Sequence, residues 1–239
     1  MQEETEIAKV ECQTVNEIAD IYENPVVKCL LGAIKVDLGG IGSGIETKLR
    51  ERQKYKEKVF LEAVCADGTV TMKDVEDVDF IIEFAMTYNA VMKLLQNEKT
   101  IFFANLLKNT ALSSQRNTNI FQEALERLCS LSYREIEMLF LLKQCQERYE
   151  IEHYNIAEES IQRVRNIWKD FINKAEKKLE LSEEMIESIF CGIERTGFCR
   201  VVNVLYPGAT SKCYCVSCYF DEFAYYISSR DIDDIHEKI

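Results

Sequence analysis

Residues 196–220 read TGFCRVVNVLYPGATSKCYCVSCYF and hold the only strongly strand-like runs of the chain. CRVVNVLY (199–206) and KCYCVSCYF (212–220) are dense in Val, Tyr and Cys, and PGATS (207–211) joins them as a turn. Just upstream, SEEMIESIFCGIERTGF (182–198) reads as a short capped helix, with Gly197 where a helix C-terminus favours glycine. DEFAYYISS (221–229) follows the second strand. Helix, hairpin and further helix-forming residues are the layout of a winged-helix unit, and the quoted segment is its wing.

Outward from this hairpin, everything points to helix. The 239 residues include Gly 9 and Pro 2, too few turn formers for a sandwich or barrel of many short strands. Hydrophobic content of 47% and charged content of 29% fit a soluble globular chain with ample core. Ile7, Val10, Val15, Ile18 and Tyr22 recur at helical intervals, and Pro25 ends that segment. Val27, Leu30, Leu31, Ile34, Leu38, Ile41, Ile45 and Leu49 fall on one helical face, which GGIGSG (39–44) breaks in two; Ser43 and Glu46 form a capping box for the second half. CADGTVTMKD (65–74) is the clearest interior loop, with Thr71 as an N-cap, and the apolar residues of 75–112 then recur at helical spacing. After the SSQRNTN loop, Ser132 and Glu135 open another helix with a capping box, and Ile156–Leu179 is a long amphipathic helix lined by Ile161, Val164, Trp168, Phe171 and Ala175. The fold class expected is all-α, mainly helical, with a small C-terminal winged-helix-like β-hairpin unit. The expected division is 1–130, helical, and 131–239, helical plus winged-helix-like.

FFANLLKNTALSSQRNTNIFQEALERLCSLSYREIEMLFLL (102–142) resembles helical proteins of unknown function from bacterial and prophage genomes. The resemblance is carried by Ala104, Asn105, Leu106 and Leu107, then by Leu131, Ser132 and Glu135, then by Glu194, Arg195, Thr196 and Gly197 before a wing-like end. It covers about half of the chain. It implies a fold and a genomic setting and no chemistry, and the cysteines of the wing depart from the pattern.

Composition excludes several functions. The net charge of −12 opposes a phosphate backbone, and the helix before the hairpin carries Glu183, Glu184, Glu187 and Glu194 against Arg195 alone. No 20-residue apolar span exists, since Val26–Ile45 contains Lys28, Lys35 and Asp37. The N-terminus, MQEETEIAKVECQ, is acidic where a signal peptide is basic and then apolar, so the ten scattered cysteines read as free thiols of a reducing cytoplasm.

Four thiols cluster in the hairpin. Cys199, Cys213, Cys215 and Cys218 are the zinc candidates, because two strands can bring thiolates together. Against this, only one C-x2-C step is present, and Cys218 points away from Cys213 and Cys215 in a continuous strand. Small buried thiols are the structural alternative. GGIGSG lacks the Lys-Ser/Thr of a phosphate loop, and Asp67, Gly68, Asp74 and Asp77 do not follow the calcium-loop order. His153 and His236 are the only imidazoles, and neither has a nucleophile near it in sequence. No cofactor other than zinc is expected. The function expected is a non-catalytic helical interaction or sensor protein, linked through the resemblance to phage–host conflict. A winged-helix transcriptional regulator is second. A membrane-active effector is third, using the glycine-rich apolar segment and the basic TKLRERQKYKEK within residues 26–58.

Overall fold

The computed structural model describes residues 21–33, 45–65, 67–112, 117–152, 160–206 and 209–228, and side chains are described outside 45–50, 160 and 204–211. These residues are mostly helical, with a two-stranded antiparallel sheet near the C-terminus. They form two compact units: one runs to Leu128 and takes in 226–228, and the other is Cys129–Tyr225. The expected division, 1–130 and 131–239, differs from this in the placement of Cys129, Ser130 and 226–228.

The first unit contains α1 (Pro25–Ala33), α2 (Ile45–Cys65), α3 (Met72–Val75), α4 (Val78–Lys93), α5 (Thr100–Ala111) and most of α6 (Thr118–Ser130). Pro25 opens α1. Asn24 breaks the helical turn Ile21–Glu23, and its Oδ1 accepts from Val26 N at 2.9 Å, so the proline takes the first helical position, where no N–H is needed. The expected split into two helices at GGIGSG, with its capping box at Ser43 and Glu46, lies outside the described residues.

Apolar residues crowd the end of α2, where Phe60, Leu61, Val64 and Cys65 are buried. Of these, Phe60 meets Phe84 and Tyr88 of α4, with Phe60 and Phe84 rings 5.8 Å apart. The apolar run 75–112 is interrupted after Lys93, because Leu94 turns extended (ψ 144°) before α5 begins. Helix α5 is buried on nearly every side: Phe103, Ala104, Asn105, Leu106 and Leu107 are all inside. A buried amide must find a partner. Asn105 Nδ2 donates to Ile227 O at 3.1 Å, and Asn109 Nδ2 to Tyr226 O at 2.8 Å and Ser228 O at 2.9 Å. These bonds draw 226–228 into the first unit.

In the second unit, α7 (Tyr133–Glu152) starts with the expected capping box: Glu135 N donates to Ser132 Oγ at 3.2 Å, and Ser132 N to Glu135 Oε2 at 2.6 Å. Helix α8 (Ser160–Leu179) buries Ile167, Trp168, Phe171, Ile172 and Ala175, whereas Ile161 of the expected apolar face is 51% exposed. Helix α9 (Glu183–Glu194) is capped by Ser182, whose side chain accepts from Met185 N. Gly197, at φ +75°, then turns the chain into β1 (Cys199–Tyr206), a conformation that costs residues with a Cβ. Strand β2 (Ala209–Val216) pairs with β1 from Cys199 opposite Val216 to Tyr206 opposite Ala209. Thus three residues expected in the turn, Ala209–Ser211, belong to β2.

The second strand is shorter at its far end than KCYCVSCYF suggested, and Cys218 opens α10 (Cys218–Ile227). Ser217 causes the change. Its N–H donates to Phe198 O at 2.9 Å and its hydroxyl to Gly197 O at 2.7 Å, while Phe220 N donates back to Ser217. A serine at that position caps the new helix and ties its start to the beginning of β1. Trp168, Phe190 and Tyr214 fill the space between α8, α9 and β2, with centroids 5.0–5.1 Å apart. Phe198 stacks on Phe223 of α10 at 4.5 Å.

Candidate functional site

The register divides the hairpin thiols. Residues paired across an antiparallel ladder share a face, and faces alternate along each strand. Cys199, opposite Val216, therefore shares a face with Tyr214. Cys213 and Cys215, opposite Val202 and Arg200, occupy the other face. Cys218 lies beyond the strand, exposed at the first turn of α10. The structure does not gather the four into one tetrahedron, and among the described residues no group of three or more His, Cys, Asp or Glu is placed to hold a metal ion.

The three strand thiols are buried. Burial pushes Cys199 up to about 12, with Glu194 next in effect, and burial also raises Cys215 against the lowering pull of Arg200. Cys191 on α9 is exposed and lies 3.4 Å from the Tyr214 hydroxyl. Cys199 and Cys215 are thus held as neutral packing groups, far from the thiolate that attacks or ligates.

A second gathering of polar groups lies between α7 and α8. A cleft of about 200 Å³ is lined by Cys145, Arg148, Tyr149, Glu152, Asn166 and Asp170. The Asp170 carboxylate receives Arg148 at 2.6 Å and Lys174 at 2.8 Å, and Lys174 Nζ reaches Cys145 Sγ at 3.5 Å. Asn166 Nδ2 donates to the Tyr149 hydroxyl at 3.2 Å. Burial, and then the charge of Asp170, push Cys145 up to about 12. Charge and thiol meet here in an arrangement that locks α7 to α8. Sequence spacing conceals it, because Cys145 and Lys174 belong to different helices.

The first unit has its own polar centre. Glu57 on α2 accepts from Tyr22 Oη at 2.9 Å and Tyr88 Oη at 2.5 Å. Both phenols are raised well above their ordinary value, by burial first and then by the carboxylate that accepts their protons. Two residues of the basic TKLRERQKYKEK run also do internal work. Arg52 donates to Leu95 O and Lys56 to Leu94 O, closing the break between α4 and α5. Lys56 is 3% exposed, and burial, helped by the neighbouring Arg52 charge, lowers its pKa. The alternating charge of the run carries no signal for these backbone bonds.

The aspartates of the 65–74 loop are structural as well. Asp67 accepts from Thr69 N and pairs with Lys108 at 2.8 Å, which holds its carboxyl below the usual range against the opposing effect of burial. Asp74 accepts from the N–H and hydroxyl of Thr71, and Asp77 caps α4 by accepting from Asp79 N. His153 and His236 lie outside the described residues. Among those residues, no helix is long and apolar enough to cross a membrane. No family model, no curated protein and no solved structure matches this chain.

Proposed function

We propose that the protein is a non-catalytic helical interaction or sensor protein of the cytoplasm, in which the winged-helix-like end serves as a packing and protein-contact module. One observation carries this reading: where thiols, carboxylates and cations meet, they are committed to one another. Asp170 holds Arg148 and Lys174, and Glu57 holds two tyrosines. The shifts of Cys65, Cys145, Cys199 and Cys215 all run upward, away from a nucleophilic thiolate. The bacterial or prophage setting, and with it a role in phage–host conflict, rests on the resemblance of residues 102–142 and 194–197 alone.

The regulator reading is disfavoured by the outward residues of α9, where Glu183, Glu184 and Glu194 are exposed. The membrane reading loses Arg52 and Lys56 in part, since their donors already serve the carbonyls of Leu95 and Leu94. The test is recovery of one protein, in repeatable stoichiometric amount, on the tagged full-length chain from native lysate. Repeated pull-downs that return only background remove the reading. Duplex-DNA binding by fluorescence anisotropy, weakening steeply with salt, would put the regulator in its place.

A further inference from the structure

The hairpin has two edges, and they are finished differently. Ser217 N donates to Phe198 O at 2.9 Å, which makes 198 and 217 a hydrogen-bonded pair at the start of the antiparallel ladder. Bonded and non-bonded pairs alternate, so Arg200 with Cys215 and Val202 with Cys213 are bonded as well. Between them, Val201 and Asn203 of β1, and Lys212, Tyr214 and Val216 of β2, turn their N–H and C=O groups away from the partner strand. The β2 edge is closed at one end by a helix, since Val216 N donates to Gln146 Oε1 of α7 at 2.6 Å. Further along, that edge carries an exposed lysine, Lys212, the residue that most often keeps foreign strands away. At the β1 edge, no donor or acceptor among the described residues meets the backbone of Val201 or Asn203.

An unpaired edge is a template for another strand, and proteins ordinarily blunt one with proline, repeated charge or a bulge. Strand β1 lacks all three. CRVVNVLY contains no proline and a single charge, Arg200, and it pairs with β2 residue for residue over its whole length. The strand also stands clear of the helices. Arg200 on one face and Asn203 on the other are exposed, and Val201 and Val202 are half-buried, whereas Cys213 to Val216 of β2 are all buried.

We propose that β1 is the docking edge for a second copy of this chain, paired antiparallel about a two-fold axis at Val202 so that two hairpins form one four-stranded sheet. In that register Val201 exchanges both hydrogen bonds with the partner's Asn203, and Asn203 with the partner's Val201, so these outward groups complement one another. Val202 lies opposite the partner's Val202, a β-branched pair at the close spacing of the ladder. Arg200 falls opposite an uncharged residue, so the one charge of the strand meets no like charge. An identical strand therefore satisfies the edge completely, which favours a copy over an unrelated extended segment. A net charge of −12 on each copy opposes the approach, and two paired strands make a small interface. The association is accordingly weak, and salt strengthens it by screening. The inference rests on the reading of the winged-helix-like end as a protein-contact module and names its partner.

The test is sedimentation velocity of the full-length chain between about 1 and about 200 μM, with reductant present to remove disulfide-linked species. The mass should rise from 27.7 kDa towards twice that value across the range. It should rise further at about 0.5 M than at about 0.05 M salt. Asn203→Pro removes an outward N–H and leaves the ladder to β2 intact. It should weaken the dimer at least about tenfold while the Trp168 fluorescence midpoint in urea stays that of the parent. Amide hydrogen exchange of the parent needs no variant: Val201 and Asn203 should gain protection at the higher concentration, and Lys212, on the opposite edge, should not. A monomer at every concentration, a dimer without protection of Val201 and Asn203, or association that weakens with salt would overturn the pairing. So would a folded Asn203→Pro chain that dimerises like the parent. A chain that stays monomeric yet retains one lysate protein in stoichiometric amount would overturn the pairing and leave the contact-module reading standing.

Discussion

Glu57 receives two phenols, and this makes a single carboxylate the polar keystone of the first unit. Its effect has a pH sign. Tyr22 and Tyr88 titrate higher in the folded chain than in the unfolded one, so they contribute stability that is complete below their unfolded value of about 10 and is lost as pH rises past it. Cys65, pushed up to about 11, and Cys145, up to about 12, act in the same direction from their unfolded value of about 8.5. Urea unfolding should therefore show stability falling between about pH 8.5 and 11. At pH 7.5, Tyr88→Phe should cost about 1–2 kcal/mol through the lost charge-assisted bond, and its alkaline decline should be shallower than the parent's. A parent stability that stays flat across that window would contradict the cradle.

The elements divide into those written locally and those decided by distant partners. Capping signals sit within four residues, which is why Ser132 with Glu135, and the Thr71–Asp74 turn, were legible in sequence. Ser132→Ala should cost about 1 kcal/mol in urea unfolding. Gly197 was legible for the same reason, and its φ of +75° gives a test that separates space from strain. A Cβ there meets nothing within 4 Å, so the cost of Gly197→Ala, about 1–2 kcal/mol, comes from backbone conformation alone. Asn, which tolerates the left-handed region, should cost less than Ala at this position, and equal losses would point to packing instead. By contrast, the second strand's end was misread because CYF continues a β-rich composition. What stops it is Ser217 bonding to Gly197 and Phe198, some twenty residues away. The break at Leu94 was hidden likewise, since its anchors, Arg52 and Lys56, lie a whole helix upstream. The hairpin thiols illustrate the same limit: their spacing announced a cluster, and only the register assigned Cys199 to one face and Cys213 and Cys215 to the other.

At the scale of the molecule, the first unit is discontinuous in sequence. Two buried amides of α5, Asn105 and Asn109, take the carbonyls of 226–228. Asparagines one turn apart in an otherwise apolar helix were the available signal that a polar partner existed, but not which one. A chain ended after Tyr225 leaves both amides without these acceptors. The loss of these three buried bonds should weaken the first unit by about 2–4 kcal/mol. The single tryptophan, Trp168, belongs to the other unit and reports on it separately. The truncated chain should lose part of its far-UV dichroism at lower urea while the Trp168 fluorescence midpoint stays in place. Coincident, unshifted transitions would show that these bonds contribute little. The same discontinuity also sets an order of assembly on the ribosome. The residues between Leu128 and Tyr226 take roughly 5–20 s to be made at ~5–20 residues per second. During that interval the amides of α5 wait for acceptors that do not yet exist, whereas Cys129–Tyr225 is complete as soon as it emerges. The part of the protein synthesised first is the part that closes last.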